Sequence, residues 1–160
     1  MSRVTRRVAS TVTLVLAVVA LGACGGGTPA QEKNAYAREV NAAQTKFAST
    51  VSTAASEESK GAQGLNRLQL TLQRFRAAID DVVRDLRRIN APSEVSKEHA
   101  QLVSIMSGYG DDVRRAGDAM RNPTPREAQL ARQRLDSAQR SVTAQVNAAI
   151  AAINVKLSGK

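Results

Sequence analysis

A chain of 160 residues with 42% apolar content is long enough for one ordinary domain. Its interior must be filled with two tyrosines, two phenylalanines and no tryptophan. Much of the apolar share is alanine, the best helix former, and strand-favouring clusters are scarce beyond the N-terminal segment, which excludes a β-rich fold. The formal charge is +9, but basic and acidic residues interleave and aromatics are too few for base stacking, so nucleic acid is excluded as a partner.

Met1 to Arg7 carries Arg3, Arg6 and Arg7, a positively charged start. Val8 to Ala20 follows without a charge. At about 1.5 Å per residue this run falls short of a ~30 Å hydrocarbon core, and its length suits the apolar region of a signal peptide. Leu21-Gly22-Ala23-Cys24 comes next, with the only cysteine of the chain. A lone cysteine excludes an intramolecular disulfide.

Leu21-Gly22-Ala23-Cys24 resembles the lipobox of bacterial lipoproteins. The resemblance implies a diacylglycerol thioether on Cys24, cleavage between Ala23 and Cys24, and further acylation, as with palmitate, of the new amine. Small residues at Gly22 and Ala23 let an extended backbone enter a peptidase groove. Two or three acyl chains, at ~0.8 kcal/mol per buried methylene, would hold the protein on the membrane far more firmly than one. The expected parts are therefore a signal peptide at 1–23, a lipidated cysteine with its glycine tether at 24–28, and a body at 29–160. The implied location is the extracytoplasmic face of the cell membrane. Loss of Arg3, Arg6 and Arg7, the only charges ahead of Cys24, takes the formal charge from +9 to +6.

In the body, Thr28-Pro29-Ala30-Gln31 reads as a helix start, with threonine as cap and proline in the first turn. Tyr36, Val40, Ala43, Phe47, Val51 and Ala54 then form one apolar stripe, predicting a helix over 29–56. Glycines and polar residues break the pattern before Leu65, Leu68, Leu72, Phe75, Ile79, Val82, Leu86 and Ile89 mark a second helix over 63–90. Asn90-Ala91-Pro92 ends it, because proline lacks the amide donor and disfavours helix in the residue before it. Ser93 is positioned to cap a third helix over 94–121, whose stripe is Leu102, Met106, Tyr109, Val113, Ala116 and Met120. Gly108 and Gly110 fall inside it and serve either close packing or a kink. The break at Asn122-Pro123-Thr124-Pro125 is the clearest. Thr124 caps, Pro125 takes the first turn and Glu127 completes a capping box for a helix over 125–157. Its stripe is Leu130, Leu135, Ala138, Val142, Val146, Ile150, Ile153 and Leu157. Four such helices predict an all-α fold, an antiparallel up-down-up-down four-helix bundle; the two proline breaks disfavour a long helical hairpin or coiled-coil dimer.

Catalytic and metal-binding patterns are weak. His99 is the only histidine, too few for the repeated Glu-x-x-His of a di-iron bundle or for a zinc site, so a surface or interface role is expected. Glu94 and Glu98 lie near it in sequence, but Glu98 is adjacent and faces away on a helix. Asp80, Asp81 and Asp85 lie among Arg84, Arg87 and Arg88, and Asp111 and Asp112 beside Arg114 and Arg115. Spacings of three and four read as surface ion pairs. Arg67, Arg74 and Arg88 share one helical stripe, interrupted by Asp81, a candidate surface for an anionic lipid or wall polymer. Asn90-Ala91-Pro92, with His99 and Leu102-Val103 downstream, resembles a pattern of small helical lipoproteins of uncharacterised role and implies no activity. The expected protein is a non-catalytic, lipid-anchored module without cofactor or metal, acting through an envelope protein partner. The alternative is a small-ligand or lipid-binding module with a cavity near Phe75, Met106 and Tyr109.

Overall fold

The computed structural model describes residues 28–58 and 65–159, with the side chains of 28, 54–58 and 65–68 outside that description. Within it the chain is all-α: α1 (Thr28–Glu58), α2 (Leu65–Arg88), a short 3-10 turn (Ser93–Val95), α3 (Ser96–Ala119) and α4 (Pro125–Leu157). The all-α, four-helix expectation holds, with boundaries close to those read from the stripes.

Local chemistry explains the ends. The side-chain oxygen of Thr124 accepts from the Glu127 amide at 3.3 Å, and the Thr124 amide donates to the Glu127 carboxylate at 2.8 Å, the reciprocal bonds of a capping box. α4 closes through the Ser158 amide on the Asn154 carbonyl at 3.0 Å, after which Gly159 turns out at φ 67, a conformation that favours glycine. The start of α3 differs from expectation. Ser93 does not cap it; the residue enters the 3-10 turn, where the Val95 amide donates to the Pro92 carbonyl at 3.0 Å. Val95 then precedes α3 without a side-chain cap and is fully buried. Burial of an apolar side chain wins here over a capping bond of about 1 kcal/mol.

The helices pack on one another in chain order, α1 on α2, α2 on α3 and α3 on α4. Gln69 at the start of α2 donates to the carbonyls of Met120 and Arg121 beyond α3, at 2.6 and 3.2 Å. Near the other end of the pair His99 meets Leu86, so α2 and α3 run antiparallel. Gly110 lies at their crossing, where an added Cβ would approach Ile79 Cγ2 to 3.2 Å. This glycine serves close packing. Gly108 faces open space, since a Cβ there would meet nothing within 4 Å.

One contiguous core gathers the stripes, including Val40, Ile79, Val113 and Ile153, each at most 1% exposed. It thins along the bundle. In α1, Tyr36, Val40 and Ala43 are buried while Phe47 and Val51 are half-buried. In α4, Val146, Ile150, Ile153 and Leu157 are buried, whereas Leu135, Ala138 and Val142 are half-buried. Leu130, expected in the stripe, is 42% exposed and Ala131 is buried instead. Ala131 continues the register of Leu135, Ala138 and Val142 at steps of four, three and four; Leu130 does not.

Candidate functional site

The sequence-predicted modification site, Ala23 and Cys24, lies outside the described residues. Three features remain in the body: a buried polar cluster, an open groove, and the charged surface of α2.

The buried cluster centres on His99, which is 7% exposed and joins the interface of α1, α2 and α3. Its Nε2 lies 3.0 Å from the Leu86 carbonyl. A carbonyl only accepts, so Nε2 carries the proton and donates. Nδ1 is then an acceptor, and the Tyr36 hydroxyl donates to it at 3.1 Å. The two rings also meet edge to face, with centroids 5.5 Å apart. Both nitrogens are thus committed to structure. Glu98 beside it takes the Lys156 ammonium at 2.8 Å, a bond between α3 and α4. That ammonium donating to the carboxylate holds Glu98 below the usual carboxylate range. Its second oxygen is buried with no hydrogen-bond partner among the described residues. The charge acts on Tyr36: burial foremost, and then the Glu98 carboxylate, push the Tyr36 hydroxyl up to about 12. Lys33 adds a bond to Glu94 at 2.9 Å and donates to the Leu157 carbonyl at 3.5 Å, so the start of α1 and the end of α4 meet here too.

The groove runs between α3 and α4, open to solvent, with a volume of about 620 Å³, and is lined by small and polar residues such as Ser104, Gly108, Ser137 and Ser141. Tyr109 reaches its floor from the core. Burial, with a contribution from Asp112, raises that hydroxyl to about 12 as well. Phe75, half-buried and facing the ring of Tyr109 edge to face at 5.8 Å, packs against the core, and Met106, 6% exposed, lies within it; neither lines the groove.

Tyr36 in the cluster and Tyr109 beside the groove make alkaline stability a readout of their burial. A raised pKa in the fold favours the neutral form, so stability is fully present below pH ~10 and is lost as pH rises toward about 12. The expected loss is about 2–3 kcal/mol per tyrosine. Urea midpoints measured from neutral to strongly alkaline pH should show it, and Tyr36→Phe should remove roughly half of the alkaline slope.

The charged surface differs in detail from the expected pairing. Asp81 pairs with Arg84 at 2.9 Å, Asp111 with Arg114 at 3.4 Å and Asp112 with Arg115 at 2.6 Å, as their spacing suggests. Asp80 instead takes Arg76 at 3.3 Å, and Asp85 takes Lys46 of α1 at 2.7 Å. The bond from Lys46 lowers the Asp85 carboxyl below its ordinary value. Neither Arg87 nor Arg88 makes an ion-pair contact with those acids, though Arg88 and Arg84 add to the lowering of Asp85. Of the Arg67, Arg74 and Arg88 stripe, Arg74 and Arg88 are exposed, and the side chain of Arg67 lies outside the described residues.

Among the described residues no group of three or more His, Cys, Asp or Glu is arranged to hold a metal ion, and no helix is long and apolar enough to cross a membrane. Comparisons with protein-family models, curated proteins and solved structures find no match.

Proposed function

We propose that this protein is a lipid-anchored helical module on the extracytoplasmic face of a bacterial membrane, working by contact with an envelope protein rather than by catalysis. The observation that carries the reading is the order of the N-terminal parts: three arginines, an uncharged run, Leu21-Gly22-Ala23-Cys24, three glycines, and then α1 from Thr28. The body supports the non-catalytic half. His99, the only histidine of the chain, has both ring nitrogens bonded inside the fold, so it is not free to serve as a general base.

Cys24→Ser tests the anchor. The wild-type protein should fractionate with membranes and carry a diacylglycerol mass increment on its N-terminal peptide. The variant should lose the increment and leave the membrane fraction. An unmodified Cys24 in the wild type would overturn the reading. Crosslinking in intact cells, followed by identification of the captured protein, tests the partner; recovery of no specific partner would count against it.

A ligand-binding role is the second reading, favoured by the α3–α4 groove, whose volume of about 620 Å³ lies in the range of small-molecule sites. Its serines and charged rim suit a polar ligand better than an acyl chain. Gly108→Leu would block the groove from a position where an added Cβ meets nothing within 4 Å. Ligand binding should fall while stability does not.

A further inference from the structure

Every acid of α2 already has a cation: Asp80 holds Arg76, Asp81 holds Arg84 and Asp85 holds Lys46. Arg87 and Arg88 follow on the last turn, both exposed, and neither forms an ion-pair contact with an acid among the described residues, although Arg88 is near enough to help lower Asp85. With Arg84 they line a depression of about 370 Å³ between α2 and α3, whose remaining wall is Asp80, Val83 and the Ser107 hydroxyl. The guanidinium groups of Arg87 and Arg88 supply planar pairs of donors that match the oxygens of a phosphate. Arg84, bonded to Asp81 through Nη1, adds charge and its remaining donors, and the serine adds one more. The carboxylate of Asp80 is turned to Arg76 at 3.3 Å, which reduces its repulsion of an anion.

The place of this depression in the fold matters as much as its chemistry. Leu86, beside the arginines, bonds His99, and His99 bonds Tyr36 near the start of α1. Lys33 ties that start to Glu94, just after α2. The arginine-bearing turn and the first turns of α1 therefore share one end of the bundle. Cys24 lies four residues before Thr28, so an extended tether spans at most about 14 Å. If the chain is anchored through Cys24, this end faces the headgroups.

We propose that Arg84, Arg87 and Arg88, with Ser107, bind the phosphate of an anionic phospholipid headgroup and so set the orientation of the tethered bundle on the bilayer. The proposal rests on the lipid-anchor reading for the source of the phosphate; the site itself rests on the arginines.

The test uses the full lipidated protein in a neutral detergent, with bound lipid counted by native mass spectrometry. Phosphatidylglycerol should be retained at least tenfold more strongly than phosphatidylcholine, and the preference should weaken with salt. Arg87→Gln with Arg88→Gln should abolish the preference while leaving helical content unchanged. Arg126→Gln with Arg132→Gln, on α4 away from this end, should not change it. Equal retention of the two lipids overturns the site, as does an equal loss in the α4 variant, which would indicate charge attraction alone. Competition by inorganic phosphate at the same concentration as lipid would overturn the headgroup as its source. The mass on Cys24 is read in the same spectra. A lipidated Cys24 without headgroup preference defeats only the site, and a preference without lipidation defeats only the anchor.

Discussion

His99→Ala is expected to lower the unfolding free energy by about 3 kcal/mol. The imidazole is 7% exposed and fills the junction of three helices, so truncation leaves a cavity that packed neighbours close only in part. The larger effect is polar. The Tyr36 hydroxyl, on a residue 2% exposed, loses its acceptor 3.1 Å away and is left buried without a partner, at about 1–3 kcal/mol. The Leu86 carbonyl suffers less, because it also accepts from the Ile89 amide at 3.1 Å. A double-mutant cycle separates the terms. Tyr36→Phe alone should cost about 1–2 kcal/mol, and combining it with His99→Leu should restore much of the loss, since both partners are then apolar. Urea denaturation followed by circular dichroism reads all of these. A His99→Ala cost below about 1 kcal/mol would show that the cluster does not hold the helices together.

Ile79→Ala is the second large effect, at about 3–4 kcal/mol. Ile79 is fully buried against Gly110, and alanine removes the methyl that lies 3.2 Å from where a Gly110 Cβ would be. Gly110→Ala alone has opposing parts. Alanine favours helix by about 1 kcal/mol, but its methyl presses on Ile79 in a core with little room to relax. In the Ile79→Ala background that pressure is gone, and Gly110→Ala should become stabilising. Strict additivity of the two changes would refute the close contact of α2 and α3. Gly108→Ala provides the control. Its methyl enters open space, so only the helix-propensity gain remains, up to about 1 kcal/mol in favour of the fold.

Sequence reading succeeded where the determinants were local. The Thr124–Glu127 capping box placed the start of α4 at the observed residue, and the six-residue stripe from Leu102 to Met120 is buried throughout. It failed where the deciding partner was distant. His99 is polar, and nothing near it in sequence announces burial; its acceptor and donor come from residues 13 and 63 positions away. Asp85 offered three nearby arginines, yet its partner is Lys46 on another helix, beyond the reach of spacing rules. Leu130 falls in the expected stripe, but register buries its neighbour Ala131. Gly108 and Gly110 are two residues apart and look alike in the sequence. Only the opposing face of α2 separates a contact glycine from an open one. Leu21-Gly22-Ala23-Cys24 remains a resemblance in the sequence and lies outside the described residues, so the proposed lipidation of Cys24 rests on the sequence alone.

The thinning of the core along the bundle implies uneven breathing. Opening free energies follow the number of buried contacts released, so amides around Tyr36, His99 and Ile153 should exchange with solvent only when the whole domain unfolds. The later turns of α1 and the first half of α4, where Phe47, Val51, Leu135 and Val142 are half-buried, should exchange through smaller, more frequent openings. Limited proteolysis should then enter at those turns first and leave the polar-clustered end as the resistant fragment. For a domain held by its N-terminus, the stiff end would stand at the attachment point and the yielding end would be turned outward.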